Sequence, residues 1–143
     1  MKFTALPTPL TARVSESSIL KTVTEESSAP CRRCLTDAKT SETVLLTPYN
    51  PFRGSSPYTS AGPIFVHFPD CTPYICDGRL PEQQRRRNIS VRAFDADHMM
   101  IDGVVVSGVE LEEKLEEVFG DERVDYVHLH YVGAGCFAVR VDR

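Results

Sequence analysis

Two cysteines separated by two arginines, in the segment Cys31-Arg32-Arg33-Cys34, are the first candidates for chemistry in this sequence. Two thiols at this spacing can bind one tetrahedral metal ion, with zinc as the possible metal, or close a redox disulfide. The arginines add positive charge, which lowers the pKa of a neighbouring thiol and makes its thiolate more available. No glycine follows Cys34 to make the tight turn of many zinc knuckles. The spacing therefore indicates metal or redox chemistry without choosing between them.

A structural zinc ion needs two further ligands, and the sequence offers two candidate sets. Cys71 and Cys76, with four residues between them, form the first set. The second set consists of His128, His130 and Cys136. The spacing of the first set departs from a repeated Cys-x-x-Cys pattern, and cysteines in ordinary buried or surface positions are the commoner case. Both sets stay open as hypotheses.

The end of the chain is predicted to form a hairpin with one polar and one apolar face. Residues 124–132 and 136–141 flank a three-residue loop that contains two glycines, and such loops commonly connect antiparallel strands. The expected cross-strand pairs are Val132 with Cys136, His130 with Ala138, and His128 with Arg140. The polar face would carry His128, His130, Cys136, Ala138 and Arg140. The apolar face would carry Val127, Leu129, Tyr131, Phe137, Val139 and Val141.

Apolar periodicity predicts the elements that must position these residues. Short runs bounded by proline, glycine or aspartate predict strands near residues 43–47, 64–68, 89–94 and 101–106. Four apolar residues at helical spacing predict one main helix over about residues 109–119. Ser107 and Glu110 have the spacing of a capping box at its start. The expected fold class is α+β, with a twisted, largely antiparallel sheet, one main helix and the C-terminal hairpin.

Composition and charge limit the function classes. The 143 residues, 41% hydrophobic and 25% charged, fit one globular domain at 29–143 after a poorly defined N-terminal arm at 1–28. A net charge of -4 argues against nucleic acid as a partner. No apolar run approaches the ~18 residues that span a bilayer, and no secretory signal is visible. We expect a soluble, cytoplasmic protein whose five cysteines stay reduced.

Several short segments occur together in a specific combination. They are Ala29–Leu35, Thr43–Thr47, Ser56–Tyr58, Ala61–His67, Cys71, Tyr74, Val91–Asp97 and Gly135–Val141. This combination resembles a bacterial family catalogued as domain of unknown function 1203, over about residues 29–143. The family has no established activity, so the resemblance implies none. It indicates that six positions match the family pattern: Cys31, Arg32, Gly62, Pro63, Asp95 and Cys136.

Three hypotheses of function follow. The leading hypothesis is a binding module without catalysis of its own, which takes a metal ion, a small anion or a protein partner. Its site would be a polar face formed by Cys31, Arg32, Cys34, His128, His130, Cys136 and Arg140. In the second hypothesis the protein is a thiolate enzyme. Its nucleophile would be Cys31 or Cys136, its base His128 or His130, and its anion-holding group Arg32 or Arg140. In the third, the domain is a scaffold whose cysteines only pack.

Overall fold

The computed structural model describes residues 1–10 and 14–143, and eight strands and two helices lie within them. In chain order they are β1 (Lys2–Thr4), β2 (Ile19–Thr22), β3 (Thr43–Tyr49), β4 (Gly62–His67), α1 (Glu82–Arg85), β5 (Asn88–Phe94), β6 (Met100–Ser107), α2 (Leu111–Phe119), β7 (Tyr126–Tyr131) and β8 (Phe137–Asp142). None of the described helices is both long enough and apolar enough to cross a membrane. The predicted α+β class, main helix and C-terminal hairpin are confirmed.

The larger sheet has five antiparallel strands in the order β1-β8-β7-β5-β6. Alternate residues of β5 and β7, such as Val91 and Leu129, are fully buried and pack with Leu111 and Leu115 of α2. Fully burying each of these leucines contributes roughly 1.5–3 kcal/mol to stability. The helix therefore covers one face of this sheet and leaves the other face to the second sheet.

The smaller sheet has three antiparallel strands in the order β2-β3-β4. The predicted strands are thus divided between two sheets, where the sequence suggested a single one. Leu45, Ile64 and Val66 of the smaller sheet form a second apolar cluster with Phe137 of β8. Within residues 1–28, β1 pairs with β8 and β2 pairs with β3. That segment therefore adds one edge strand to each sheet.

The main helix begins later than the sequence predicts. It starts at Leu111, its N-terminal boundary residue is Glu110, and no side chain caps it. Ser107 is the last residue of β6 and pairs with Asn88, so its backbone belongs to the sheet. The predicted capping box is wrong, because the strand extends to the position where the serine would have to cap the helix.

The C-terminal hairpin contains an irregularity that the sequence did not predict. His128 pairs with Arg140 as expected, but the register shifts after Leu129 and His130 pairs with Phe137, not with Ala138. The predicted pair of Val132 and Cys136 is also wrong, because β7 ends at Tyr131 and β8 begins only at Phe137. The Tyr131 backbone N–H instead donates to the carbonyl of Cys136. A bulge gives one strand an extra residue and turns a side chain to the other face. Here it places Phe137 against the histidine rings.

Candidate metal centre and adjoining pocket

Three cysteines and one histidine converge where the smaller sheet ends. The thiols of Cys31, Cys34 and Cys71 and one ring nitrogen of His67 all lie within 4.8 Å of one another. We call these four residues the thiol cluster. Cys31 and Cys34 come from the loop before β3, His67 is the last residue of β4, and Cys71 follows in the connection to α1. Three separate segments thus supply four potential metal ligands.

The distances within the thiol cluster suit a tetrahedral ion. Cys31 Sγ lies 3.8 Å from Cys71 Sγ, and Cys34 Sγ lies 3.4 Å from Nδ1 of His67. Two sulfurs at ~2.3 Å from a tetrahedral zinc ion are about 3.8 Å apart, and a sulfur and a nitrogen are about 3.5 Å apart. These two distances match two edges of a tetrahedral zinc site, and all four ligand atoms lie within 4.8 Å of one another.

The loop that carries the first two thiols is closed by backbone hydrogen bonds. The Leu35 N–H donates to the Cys31 carbonyl at 3.1 Å, and the Cys31 N–H donates to the Thr36 carbonyl at 3.0 Å. Leu35 takes a left-handed backbone conformation with φ of 54°. This is the conformation that glycine supplies after the second cysteine of many knuckles. A leucine can hold it here because its side chain is only 3% exposed and packs in the main core.

Two backbone N–H groups point at the innermost thiol. Those of Arg33 and His67 lie 3.4 Å and 3.3 Å from Cys31 Sγ. A hydrogen bond to Cys34 and burial nevertheless raise the pKa of Cys31. Burial also raises the pKa of Cys71 to about 12, while hydrogen bonding from Cys31 lowers that of Cys34.

A carboxylate orients the histidine. Glu42 Oε2 lies 3.2 Å from Nε2 of His67, while Nδ1 of the same ring faces Cys34. If Nε2 carries the proton and donates to Glu42, Nδ1 keeps a lone pair directed at the thiols. A backbone hydrogen bond from Lys39 and the contact with His67 lower the pKa of Glu42, which favours its charged form. Carboxylate–histidine pairs of this kind commonly support metal ligands.

The two arginines between the cysteines are buried and bind other parts of the chain. Arg32 Nε donates to the carbonyl of Phe137 at 2.7 Å, and its Nη1 donates to that of Pro30 at 2.5 Å. Arg33 Nη1 donates to the carbonyl of Leu6 at 2.9 Å. The arginines thus connect the thiol loop to β8 and to the N-terminal segment. The geometry gives their guanidinium groups a structural use that the sequence did not indicate.

The predicted hairpin residues lie outside the thiol cluster. His130 and Cys136 instead line a cavity of about 180 Å³ between the larger sheet and residues 49–63. We call this cavity the aromatic pocket, because it is walled by Tyr49, Phe52, Tyr58, Phe94 and Phe137. Cys76 also lies outside the cluster and packs at the edge of the main core.

The two histidines of β7 are neutral. Burial lowers the pKa of His128 to about 3 and that of His130 to about 4. His130 Nδ1 lies 2.8 Å from the Gly135 carbonyl, so this nitrogen carries the proton and Nε2 is the acceptor. His128 is fully buried beside Phe52, Phe94 and Phe137, and neither of its nitrogens has a hydrogen-bond partner.

Arg140, the last predicted site residue, is already engaged by its neighbours. Its Nε donates to Asp142 at 2.8 Å, and its guanidinium carbon lies 3.8 Å from the centre of the Tyr126 ring. The structure therefore divides the predicted site: Cys31 and Cys34 join the thiol cluster, His130 and Cys136 line the aromatic pocket, and Arg32 connects the two regions.

Sequence reasoning missed His67 as a possible ligand. The residue closes a predicted strand, which suggests a structural position. The signal that could have found it is its spacing from Cys71, since three residues separate the two. Histidine and cysteine ligands at such short separations are common in zinc sites.

Comparison with known proteins identifies the family to which this chain belongs. No curated protein and no solved structure matches this chain significantly. The family model described as "Protein of unknown function (DUF1203)" matches residues 28–143, which include the whole thiol cluster as well as His130 and Cys136 of the aromatic pocket. The chain therefore belongs to the DUF1203 family.

Proposed function

We propose that this protein is a metal-binding domain that holds one zinc ion through Cys31, Cys34, Cys71 and His67. The observation that carries the proposal is the convergence of three thiols and an imidazole nitrogen within 4.8 Å. Soft thiolates and imidazole are the donors that zinc prefers. Four protein ligands fill a tetrahedron, which is typical of structural zinc sites.

The ion would stabilise a junction that has little regular structure. The connection from β4 to α1 runs from residue 68 to residue 81 without a helix or strand. Cys71 would tie it to the thiol loop, beside the Arg33–Asp70 ion pair at 3.4 Å and a hydrogen bond from the Tyr74 N–H to the Arg33 carbonyl at 2.9 Å. Metal binding would thus fix the smaller sheet, this connection and the N-terminal segment together.

The thiolate-enzyme hypothesis has less support at Cys31. This residue is 0% exposed, and its raised pKa makes it a poor nucleophile. Cys136 remains the alternative nucleophile, and it lies in the aromatic pocket beside His130. A scaffold with packing cysteines would bind no metal, so a metal and thiol count separates it from our proposal.

The test is elemental analysis of untagged protein, prepared under reducing conditions with zinc supplied, together with a thiol count. We expect about one zinc per chain. Cys76 and Cys136 should react with a thiol reagent, while the three cluster cysteines react only after a chelator is added. Cys34→Ser should lose the zinc, and Cys76→Ser, which changes a cysteine outside the cluster, should keep it. Less than ~0.1 zinc per chain with five reactive thiols would refute the proposal.

A further inference from the structure

The aromatic pocket combines a cation with aromatic walls. Arg92 on β5 lines it, and its Nε donates to Ser90 Oγ at 3.3 Å. No acidic residue lines the pocket, and among the described residues no carboxylate lies within 4.0 Å of the Arg92 guanidinium. A partly buried arginine without a carboxylate partner favours an anionic ligand, because guanidinium binds a carboxylate through two parallel hydrogen bonds.

The walls of the pocket favour a planar ring. Phe52 and Tyr58 of the covering loop both contact Phe94 edge-on, with ring centres 5.2 Å and 6.0 Å away. Tyr49 and Phe137 close the other side, 5.9 Å apart. Flat apolar walls on several sides suit a flat apolar body, and aromatic pairs gain energy beyond the area they bury.

The histidines add a neutral, polar boundary. His130 lines the pocket and, with its proton on Nδ1, offers Nε2 as a hydrogen-bond acceptor. Behind the wall formed by Phe52, Phe94 and Phe137 lies His128, 0% exposed and without a partner for either nitrogen. Burying an imidazole without a hydrogen-bond partner costs stability.

We propose that the aromatic pocket binds a small, one-ring aromatic carboxylate, with the carboxylate on Arg92 and the ring between the aromatic side chains. The cavity of about 180 Å³ sets the size. An engineered apolar cavity of ~150 Å³ holds benzene, so one ring with a short acidic group fits. This site is separate from the zinc site and does not depend on the zinc proposal.

Benzoate is the probe, added to the full-length, metal-replete protein and followed by two-dimensional amide NMR. We expect saturable shifts at residues around Arg92 and His130, with a Kd of roughly 1 mM or below for a ligand of about nine non-hydrogen atoms. Benzyl alcohol keeps the ring without the charge, and cyclohexanecarboxylate keeps the charge without the aromatic ring. Benzyl alcohol should bind ~10-fold more weakly, and cyclohexanecarboxylate a few-fold more weakly.

The matched variants are Arg92→Gln in the pocket and Arg79→Gln on the exposed connection. The first should weaken benzoate binding by ~10-fold or more, and the second should leave it unchanged. Equal binding of benzoate to Arg92→Gln and to the unchanged protein would overturn the proposal, as would shifts confined to other surfaces. If Arg92→Gln does not fold, the comparison of benzoate with benzyl alcohol decides alone: equal affinity overturns the proposal. If elemental analysis finds no zinc in the protein, the zinc proposal fails, but the benzoate experiment still tests the aromatic pocket in the same way.

Discussion

The thiol cluster and the aromatic pocket use the same residue types under opposite electrostatic conditions. In the thiol cluster, the outer nitrogen of His67 faces Glu42 and its inner nitrogen faces Cys34. In the aromatic pocket, His130 donates to a backbone carbonyl, and the charged residue beside it is Arg92. Surroundings rich in negative charge favour a cation, whereas surroundings with an unpaired arginine favour an anion. The chemistry of a histidine or cysteine is therefore set by its neighbours rather than by its type.

Removing the metal should produce the largest difference between the two regions. Structural zinc sites contribute folding energy directly, and apparent binding energies of ~10–16 kcal/mol are known for small zinc domains. We expect a strong chelator to lower the melting temperature of the unchanged protein by ~10 °C or more. The same chelator should leave Cys31→Ser, already without metal, unaffected. Equal melting curves for the unchanged protein with and without chelator would contradict the proposal that the thiol cluster holds a structural metal ion.

Acid should destabilise the protein through the buried imidazole of His128, which lies beside the aromatic pocket. The folded-state pKa of His128 is lowered to about 3 by burial, below the ~6.5 of an unfolded histidine. Between these values the unfolded chain binds the proton and the folded protein does not, so stability falls as the pH falls from ~6.5 towards about 3. The slope is about 1.4 kcal/mol per pH unit for one histidine.

Urea denaturation between pH 7 and pH 4 measures this dependence. His128→Phe, which fills the same aromatic surroundings, should reduce the slope, while His98→Phe, at a half-exposed position, serves as the control. His130 contributes in the same direction, because its pKa is lowered to about 4. A slope that His128→Phe leaves unchanged would show that this imidazole is not buried in its neutral form.

Loss of the carboxylate behind His67 should have a smaller effect. Changes to the residues that orient metal ligands typically reduce metal affinity by ~10–100-fold. We expect Glu42→Gln to fall in this range in a competition titration with a zinc-binding dye. Glu26→Gln, at another exposed glutamate, should bind zinc with unchanged affinity. If both variants bind equally, the 3.2 Å contact between Glu42 and His67 has no role in metal binding.

An effect of similar size on stability alone is expected at the backbone of the thiol loop. Leu35→Gly should relieve the left-handed strain at φ of 54°, worth ~1–2 kcal/mol. It also removes a buried side chain, which costs ~2–5 kcal/mol. We expect a net loss of roughly 1–3 kcal/mol in urea denaturation, with zinc content unchanged. A loss of zinc in this variant would show that the leucine side chain holds the loop in place for the metal.

The fold was predicted well where local pattern determines it. Leu111 and Leu115 are buried as helical spacing indicates, and His128 pairs with Arg140 as the loop length indicates. The place of β1 in the larger sheet was not predictable, because β1 pairs with β8 across 138 residues and carries no pattern of its own. The bulge between Phe137 and Val139 also leaves no local signal, since glycines permit several turn lengths.

The site was predictable only in part. The spacing of Cys31 and Cys34 indicated metal or redox chemistry, and Cys71 was among the candidates for a further metal ligand. The sequence could not show whether Cys71 or Cys76 joins the first two cysteines, or whether the hairpin residues do. That depends on which segments the tertiary fold brings together. His67 was missed because nothing in its own strand marks it as a ligand.

The positions of the ligands have a consequence for synthesis of the chain. All four residues of the thiol cluster lie between positions 31 and 71, so a ribosome completes them before β5 to β8 exist. The smaller sheet and the thiol cluster can assemble early, whereas β1 must wait for β8. Until then Arg32 lacks the Phe137 carbonyl, an acceptor 105 residues away. If the proposed metal binds at this stage, the thiol loop would be closed while the Arg32 side chain, buried in the complete fold, is still exposed.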